Sequence, residues 1–151
     1  DTPTGGRVAA VADALREGTF CVTYADGVAD VDPAAVLAGH AASGAEGTMT
    51  VVRPALQFGV ADLDGDRITG FREKPRSEHW VNGGFLCFEP ALLERLETGS
   101  VLEREPLGAM AAEGRLRAHR HEGFWDCMDT DKDRLLLNDL WDRGEAPWRT
   151  W

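Results

Sequence analysis

Nowhere does the sequence hold a Cys-x-x-Cys pair, and its three cysteines, Cys21, Cys87 and Cys127, are odd in number and far apart. That spacing indicates neither a zinc site nor a disulfide framework, and a reducing cytoplasm is the simplest compartment. Apolar runs of membrane-spanning length are missing, and the first residues do not resemble a signal peptide, so no membrane partner is expected. Cations are scarce: 16 Lys and Arg stand against 26 Asp and Glu, for a formal net charge of −10. A polynucleotide would have to bind against that field, which argues against polymeric nucleic acid as a partner. A small anionic ligand remains compatible, because a local knot of Arg and Lys or a metal ion reverses the sign inside a pocket. Internal repeats and low-complexity linkers are lacking too.

What the chain does have is a globular composition. Of its 151 residues 43% are hydrophobic, enough for a real core, and one domain over residues 1–151 is the expectation. It begins DTPTGGR without a Met, which reads as a start inside a longer product. Short strands alternating with helices predict an α/β fold. Val8, Val11 and Leu15 recur at helical spacing, and TFCVTY (19–24) is a β-favouring run. Asp32-Pro33 reads as an N-cap followed by Pro at the first helical position, with Ser43-Gly44 as the stop. Strands are predicted at 48–53 and 58–64, with an Asp64-Gly65-Asp66 turn into RITGF, and again at 82–89 and 115–121. Helices are predicted at 90–97, through EREPLGAMAAEG, and at 130–144.

Three stretches could carry chemistry. Asp26 follows a buried strand, at the rim where open α/β sheets bind ligands, although Asp-Gly is also an ordinary turn. Asp129 arrives at the start of a helix, where it or Thr130 could simply be the N-cap. If the two aspartates meet, they make half of an Mg²⁺ site, completed by waters and phosphate oxygens. The third stretch, GFREKPRSEHWVNGGF (70–85), gathers Arg72, Lys74 and Arg76. Pro75 biases Lys74 toward extended backbone, which would aim its ammonium outward at a phosphate. Glu73 can accept from hydroxyls, Asn82 can donate and accept, and Gly83-Gly84 permits close approach of a ligand. His40, His79, His119 and His121 suit packing or surface roles better than catalysis, and Trp141, Trp148 and Trp151 suit packing onto their own domain better than a subunit contact.

Taken in order, TGGR (4–7), TFCVTYADGVADV (19–31), FGVADLDG (58–65), FREKP (71–75), NGGF (82–85), GFWDCMDT (123–130) and LWDRGEAPWRTW (140–151) resemble the glucose-1-phosphate cytidylyltransferase family of sugar nucleotidyltransferases. The resemblance implies a Rossmann-like nucleotidyltransferase fold, with a mixed, mainly parallel central sheet flanked by helices. That fold would be N-terminally incomplete, because the family's Gly-Gly-x-Gly-Thr-Arg loop has no counterpart in this chain. The implied reaction joins CTP and α-D-glucose 1-phosphate to give CDP-glucose and pyrophosphate, for dideoxy sugars of bacterial surface polysaccharide such as O-antigen. By position it makes Asp26 and Asp129 the Mg²⁺ ligands and Lys74 the holder of sugar phosphate, these three being the catalytic set. It assigns Glu73 and Asn82 to sugar hydroxyls, and Thr2, Arg7 and the Ala25 backbone to the nucleotide. It also implies a homo-oligomer. Ala25 replaces a family glycine, Asp126-Cys127 replaces a neutral residue and a proline, and Gln57 replaces an arginine. Two other readings stay open here: a sugar-1-phosphate nucleotidyltransferase using dTTP, UTP or GTP, and a non-catalytic sugar-phosphate-binding or assembly subunit.

Overall fold

The computed structural model describes residues 2–151. The chain opens with two short helices, α1 (Thr4–Ala9) and α2 (Ala12–Leu15), then β1 (Phe20–Thr23), β2 (Gly27–Ala29) and α3 (Pro33–Ser43). There follow β3 (Gly47–Val52), β4 (Val60–Asp64), β5 (Arg67–Arg72), β6 (Val81–Phe88) and a 3-10 helix at Pro90–Arg95. The last elements are α4 (Glu105–Ala112), β7 (Leu116–Arg120), β8 (Trp125–Cys127) and α5 (Asp131–Asp142).

Four strands make the main sheet in the order β1-β6-β3-β7. β6 is antiparallel to both neighbours, whereas β3 and β7 are parallel. Three strands therefore run one way with β6 against them, which is the mixed α/β sheet the sequence implied. Two ribbons stand apart from it: β4 pairs with β5, and β2 with β8.

One face of the sheet carries the main core. Phe20, Leu86 and Phe88 pack there with Val8 of α1, Leu92 and Leu93 of the 3-10 helix, and Leu102, Leu107 and Met110 around α4. Burying each such side chain contributes about 1.5–3 kcal/mol, which is what holds these short helices to the sheet. The other face is covered by α3, where the Asp32 carboxylate caps Ala34 N–H and Gly44 closes the helix at φ 65°. His40 on that helix is 2% exposed, with Nδ1 at 2.8 Å from Thr48 Oγ1 and Nε2 at 3.0 Å from Glu89. It is a satisfied packing histidine.

Two expectations change. The helix anticipated from Val8 starts earlier, at Thr4, and breaks at Ala10-Val11. Its glycines lie inside the first turns because Gly5 and Gly6 abut Ser100 and Thr98, where a Cβ would overlap the backbone. Lys74 is not extended: its φ is +46°. Immediately after it, Leu56 N–H donates to the Pro75 carbonyl at 2.9 Å and Ser77 N–H to the Pro54 carbonyl at 2.8 Å. These bonds return the chain across residues 54–56 and force a sharp turn at Lys74, overriding the extended preference that precedes proline.

Candidate functional site

The Asp26 and Asp129 segments are brought together by backbone. Gly27, Val28 and Ala29 of β2 register against Cys127, Asp126 and Trp125 of β8, and the Met128 N–H donates to the Asp26 carbonyl at 2.8 Å. Each aspartate thus leaves the end of a paired segment on the same side. Thr130 takes the capping role, accepting from the Asp133 N–H while Asp133 accepts from the Thr130 N–H. This capping box starts α5 without Asp129, whose carboxylate stays exposed. Thr130 is thus structural, and the adjacent Asp129 is available for chemistry.

Both aspartates line a cavity of about 900 Å³, together with Arg7, Ala25, Tyr24, Glu103, Asp131 and Arg134. Among the described residues no group of three or more His, Cys, Asp and Glu is arranged as a complete metal cage. Two exposed carboxylates on one open cavity fit a hard divalent cation that keeps waters and takes its remaining ligands from phosphate. They do not fit a closed structural site.

The sole tyrosine, Tyr24, sits half-buried on the cavity wall. Its hydroxyl donates to Glu103 and accepts from the Asn82 amide at 3.1 Å. Burial and the Glu103 contact push the phenol well above its ordinary range. Burial alone would raise the Glu103 carboxyl, but hydrogen bonds from Thr4 Oγ1, at 2.6 Å, and from Tyr24 bring it below the usual value. Asn82 Oδ1 accepts from the Gly84 N–H at 2.9 Å, so the amide is oriented at both ends. Gly84 itself takes φ 80°, with the Tyr24 ring packed where a Cβ would go.

Two of the residues that depart from the expected pattern, Asp126 and Cys127, sit beside Asp129. Cys127 Sγ donates to Asp129 Oδ2 at 3.2 Å, and burial followed by that bond pushes the thiol up to about 12. It therefore stays a neutral donor. Burial, aided by the Asp133 and Asp129 charges, raises the Asp126 carboxyl against a hydrogen bond from the Cys127 N–H.

Other proposed contacts lie elsewhere. The Thr2 carbonyl accepts from Arg7 Nε at 2.8 Å, which fixes Arg7 at the cavity edge. Glu73 and Lys74 are exposed on the segment between β5 and β6, and neither lines the cavity. Within the basic knot, Arg72 pairs with Asp62 at 3.2 Å and Arg76 with Glu122 at 3.8 Å. Lys74 makes no ion pair among the described residues, so its charge is the one left over. Sequence reading missed Tyr24, Glu103 and Arg134. The available signal for Tyr24 was its uniqueness and its place next to the strand-end turn.

Comparison with known proteins gives the family. The chain is 39% identical over 151 residues to the glucose-1-phosphate cytidylyltransferase of Salmonella typhi, covering 98% of this chain and 59% of that protein. It is 34% identical over 140 residues to the mannose-1-phosphate guanylyltransferase catalytic subunit beta of Dictyostelium discoideum, over 87% of this chain and 39% of that one. Among solved structures, HddC from Yersinia pseudotuberculosis superposes with a TM-score of 0.68 at 15% identity, covering 92% of this chain and 62% of that chain, a likeness of fold. The chain thus spans about three-fifths of the length of the cytidylyltransferases it matches. The family pattern described as nucleotidyl transferase extends over residues 4–126, and the chain belongs to that family.

Proposed function

We propose that this chain carries the metal-and-sugar half of a nucleotidyl-transfer site that joins CTP to α-D-glucose 1-phosphate, giving CDP-glucose and pyrophosphate. The observation that supports this most directly is the Met128–Asp26 backbone bond, with Asp26 and Asp129 on one cavity wall. The similarity to cytidylyltransferases supports the choice of cytidine and glucose. CDP-glucose made here would feed dideoxy sugars of surface polysaccharide.

Asp26 and Asp129 would hold Mg²⁺, which supplies charge neutralisation for the nucleotide phosphates. An ionised oxygen of glucose 1-phosphate is already a nucleophile, so no residue has to remove a proton. The new bond forms to the α-phosphorus of CTP as the bond to the bridging oxygen of pyrophosphate breaks. The protein's work is to align two anions and offset their repulsion. Lys74, unpaired, would hold the sugar phosphate. Asn82, oriented by Tyr24 and Gly84, and Glu73 would hold sugar hydroxyls. Arg7, fixed through the Thr2 carbonyl, and the Ala25 backbone would face the nucleotide. Arg134, paired with Asp131 at 2.8 Å, lies on the same wall and would have to exchange that partner to meet a phosphate.

Calorimetry tests the assignment. Mg²⁺-dependent CTP binding should weaken at least about ten-fold in Asp26→Asn and Asp129→Asn, and glucose 1-phosphate binding should weaken in Lys74→Ala. Unchanged CTP binding in both aspartate variants would remove the metal assignment. The likeness to a guanylyltransferase favours one second reading, a different base. Competition of GTP, UTP and dTTP against CTP decides it.

A further inference from the structure

Cys21 and Cys87 play no part in the cavity, yet the sheet sets them face to face. The β1–β6 register places them directly opposite one another. Tyr24 N–H donates to the Gly84 carbonyl at 3.0 Å, which marks Tyr24–Gly84 as a hydrogen-bonded pair. In an antiparallel ladder such pairs alternate, so Cys21–Cys87 falls at a non-hydrogen-bonded position. There Cα atoms lie only about 4.5 Å apart, inside the range a disulfide spans. The two Sγ atoms are 3.3 Å apart. Cys21 is exposed and Cys87 buried.

We propose that Cys21 and Cys87 form a reversible oxidation site, at which a peroxide or a low-molecular-weight disulfide produces a cross-strand disulfide. With hydrogen peroxide, the Cys21 thiolate sulfur attacks one oxygen and the O–O bond breaks, leaving a sulfenic acid and hydroxide, which takes up a proton as water. The Cys87 sulfur then attacks the Cys21 sulfur. The S–S bond forms as the S–O bond breaks, and the departing oxygen leaves as water with the Cys87 proton. Two thiols and one peroxide give one disulfide and two waters. The order follows from accessibility: the exposed thiol meets the oxidant and the buried one resolves it. Burial, with the Cys21 contact, also holds the Cys87 thiol up at about 12, which keeps it from reacting first.

The bond would tie β1, whose strand partner among the described residues is β6, to the middle of the sheet. β1 leads directly to Asp26, so the oxidised chain would present that carboxylate from a more rigid support.

The test treats the reduced chain with stoichiometric peroxide, then measures intact mass, peptide linkage and amide exchange. Expected are the loss of two hydrogens, a Cys21–Cys87 linked peptide pair, exchange over residues 20–24 slowed several-fold, and full reversal by dithiothreitol. Sulfinic or sulfonic acid on Cys21 with Cys87 still a thiol overturns the proposal, as does a disulfide through Cys127. Phenylarsine oxide, which bridges two adjacent thiols, gives a second measurement without substitution. One equivalent bound across Cys21 and Cys87 of the reduced chain is expected, and failure to bind refutes the pairing.

Discussion

The Asn82 amide donates to the Tyr24 hydroxyl at 3.1 Å, joining the central strand β6 to the cavity wall. Because that hydroxyl also donates to Glu103, Tyr24→Phe strips an acceptor from Asn82 and a donor from Glu103 in one step. Urea denaturation should show a loss of about 1–2 kcal/mol. Calorimetry should show weaker glucose 1-phosphate binding, since the amide is then held at its Oδ1 end alone, by the Gly84 N–H. A variant unchanged in both measurements would mean that the bridge is not maintained in solution.

Adjacent residues at the head of α5 should separate cleanly. Thr130→Ala removes the cap and should cost about 1 kcal/mol of stability. Asp129→Asn leaves the capping box whole, so its melting transition should stay near that of the parent while Mg²⁺-dependent CTP binding falls. The reverse pattern would make Asp129 the structural residue of the two.

Lys74 takes φ +46°, a region that costs a side-chain-bearing residue about 1–2 kcal/mol. Lys74→Gly should therefore unfold at higher urea concentration than Lys74→Ala, while both lose the ammonium and bind glucose 1-phosphate poorly. Equal midpoints for the two variants would show that the turn relaxes in solution.

Acid should loosen the α3 face through Glu89. Its carboxyl is held below the usual 4.5, first by the Thr19 hydroxyl at 2.6 Å, against an opposing effect of burial, and then by His40. A depressed carboxyl contributes stability that is present above the unfolded value and is lost as pH falls through the folded one. Stability should thus decline below about pH 4.5, and Glu89→Gln should flatten that limb. An unaltered acid limb in the variant would assign the decline to other carboxylates.

Elements with strong local punctuation were legible in the sequence. Asp32-Pro33 and Gly44 bracket α3, and Gly65 turns the β4–β5 ribbon at φ 58°. The meeting of Asp26 with Asp129 was not legible, because it depends on β2 and β8, each too short to show alternation. The Lys74 turn was misread for a related reason: hydrogen bonds from residues 54–56 decide it, and local preference does not. Gly5 and Gly6 precede the helical spacing that Val8 begins, yet contact with Thr98 and Ser100 draws them into the helix. Of the three tail tryptophans, Trp148 stacks on Phe124 at 5.4 Å as expected, but Trp151 is 81% exposed.

β6 has a neighbour on either side and contributes Leu86, Cys87 and Phe88 to the interior, whereas the β4–β5 ribbon leaves Leu63, Ile68 and Phe71 in solvent. The molecule is thereby graded in how readily its parts let go. The ribbon is expected to fray and reclose ahead of the main sheet, while the amides of β6 should be among the last to exchange with deuterium. A tug on residues 60–72 would be absorbed locally; the same tug on residues 81–88 would take the protein apart.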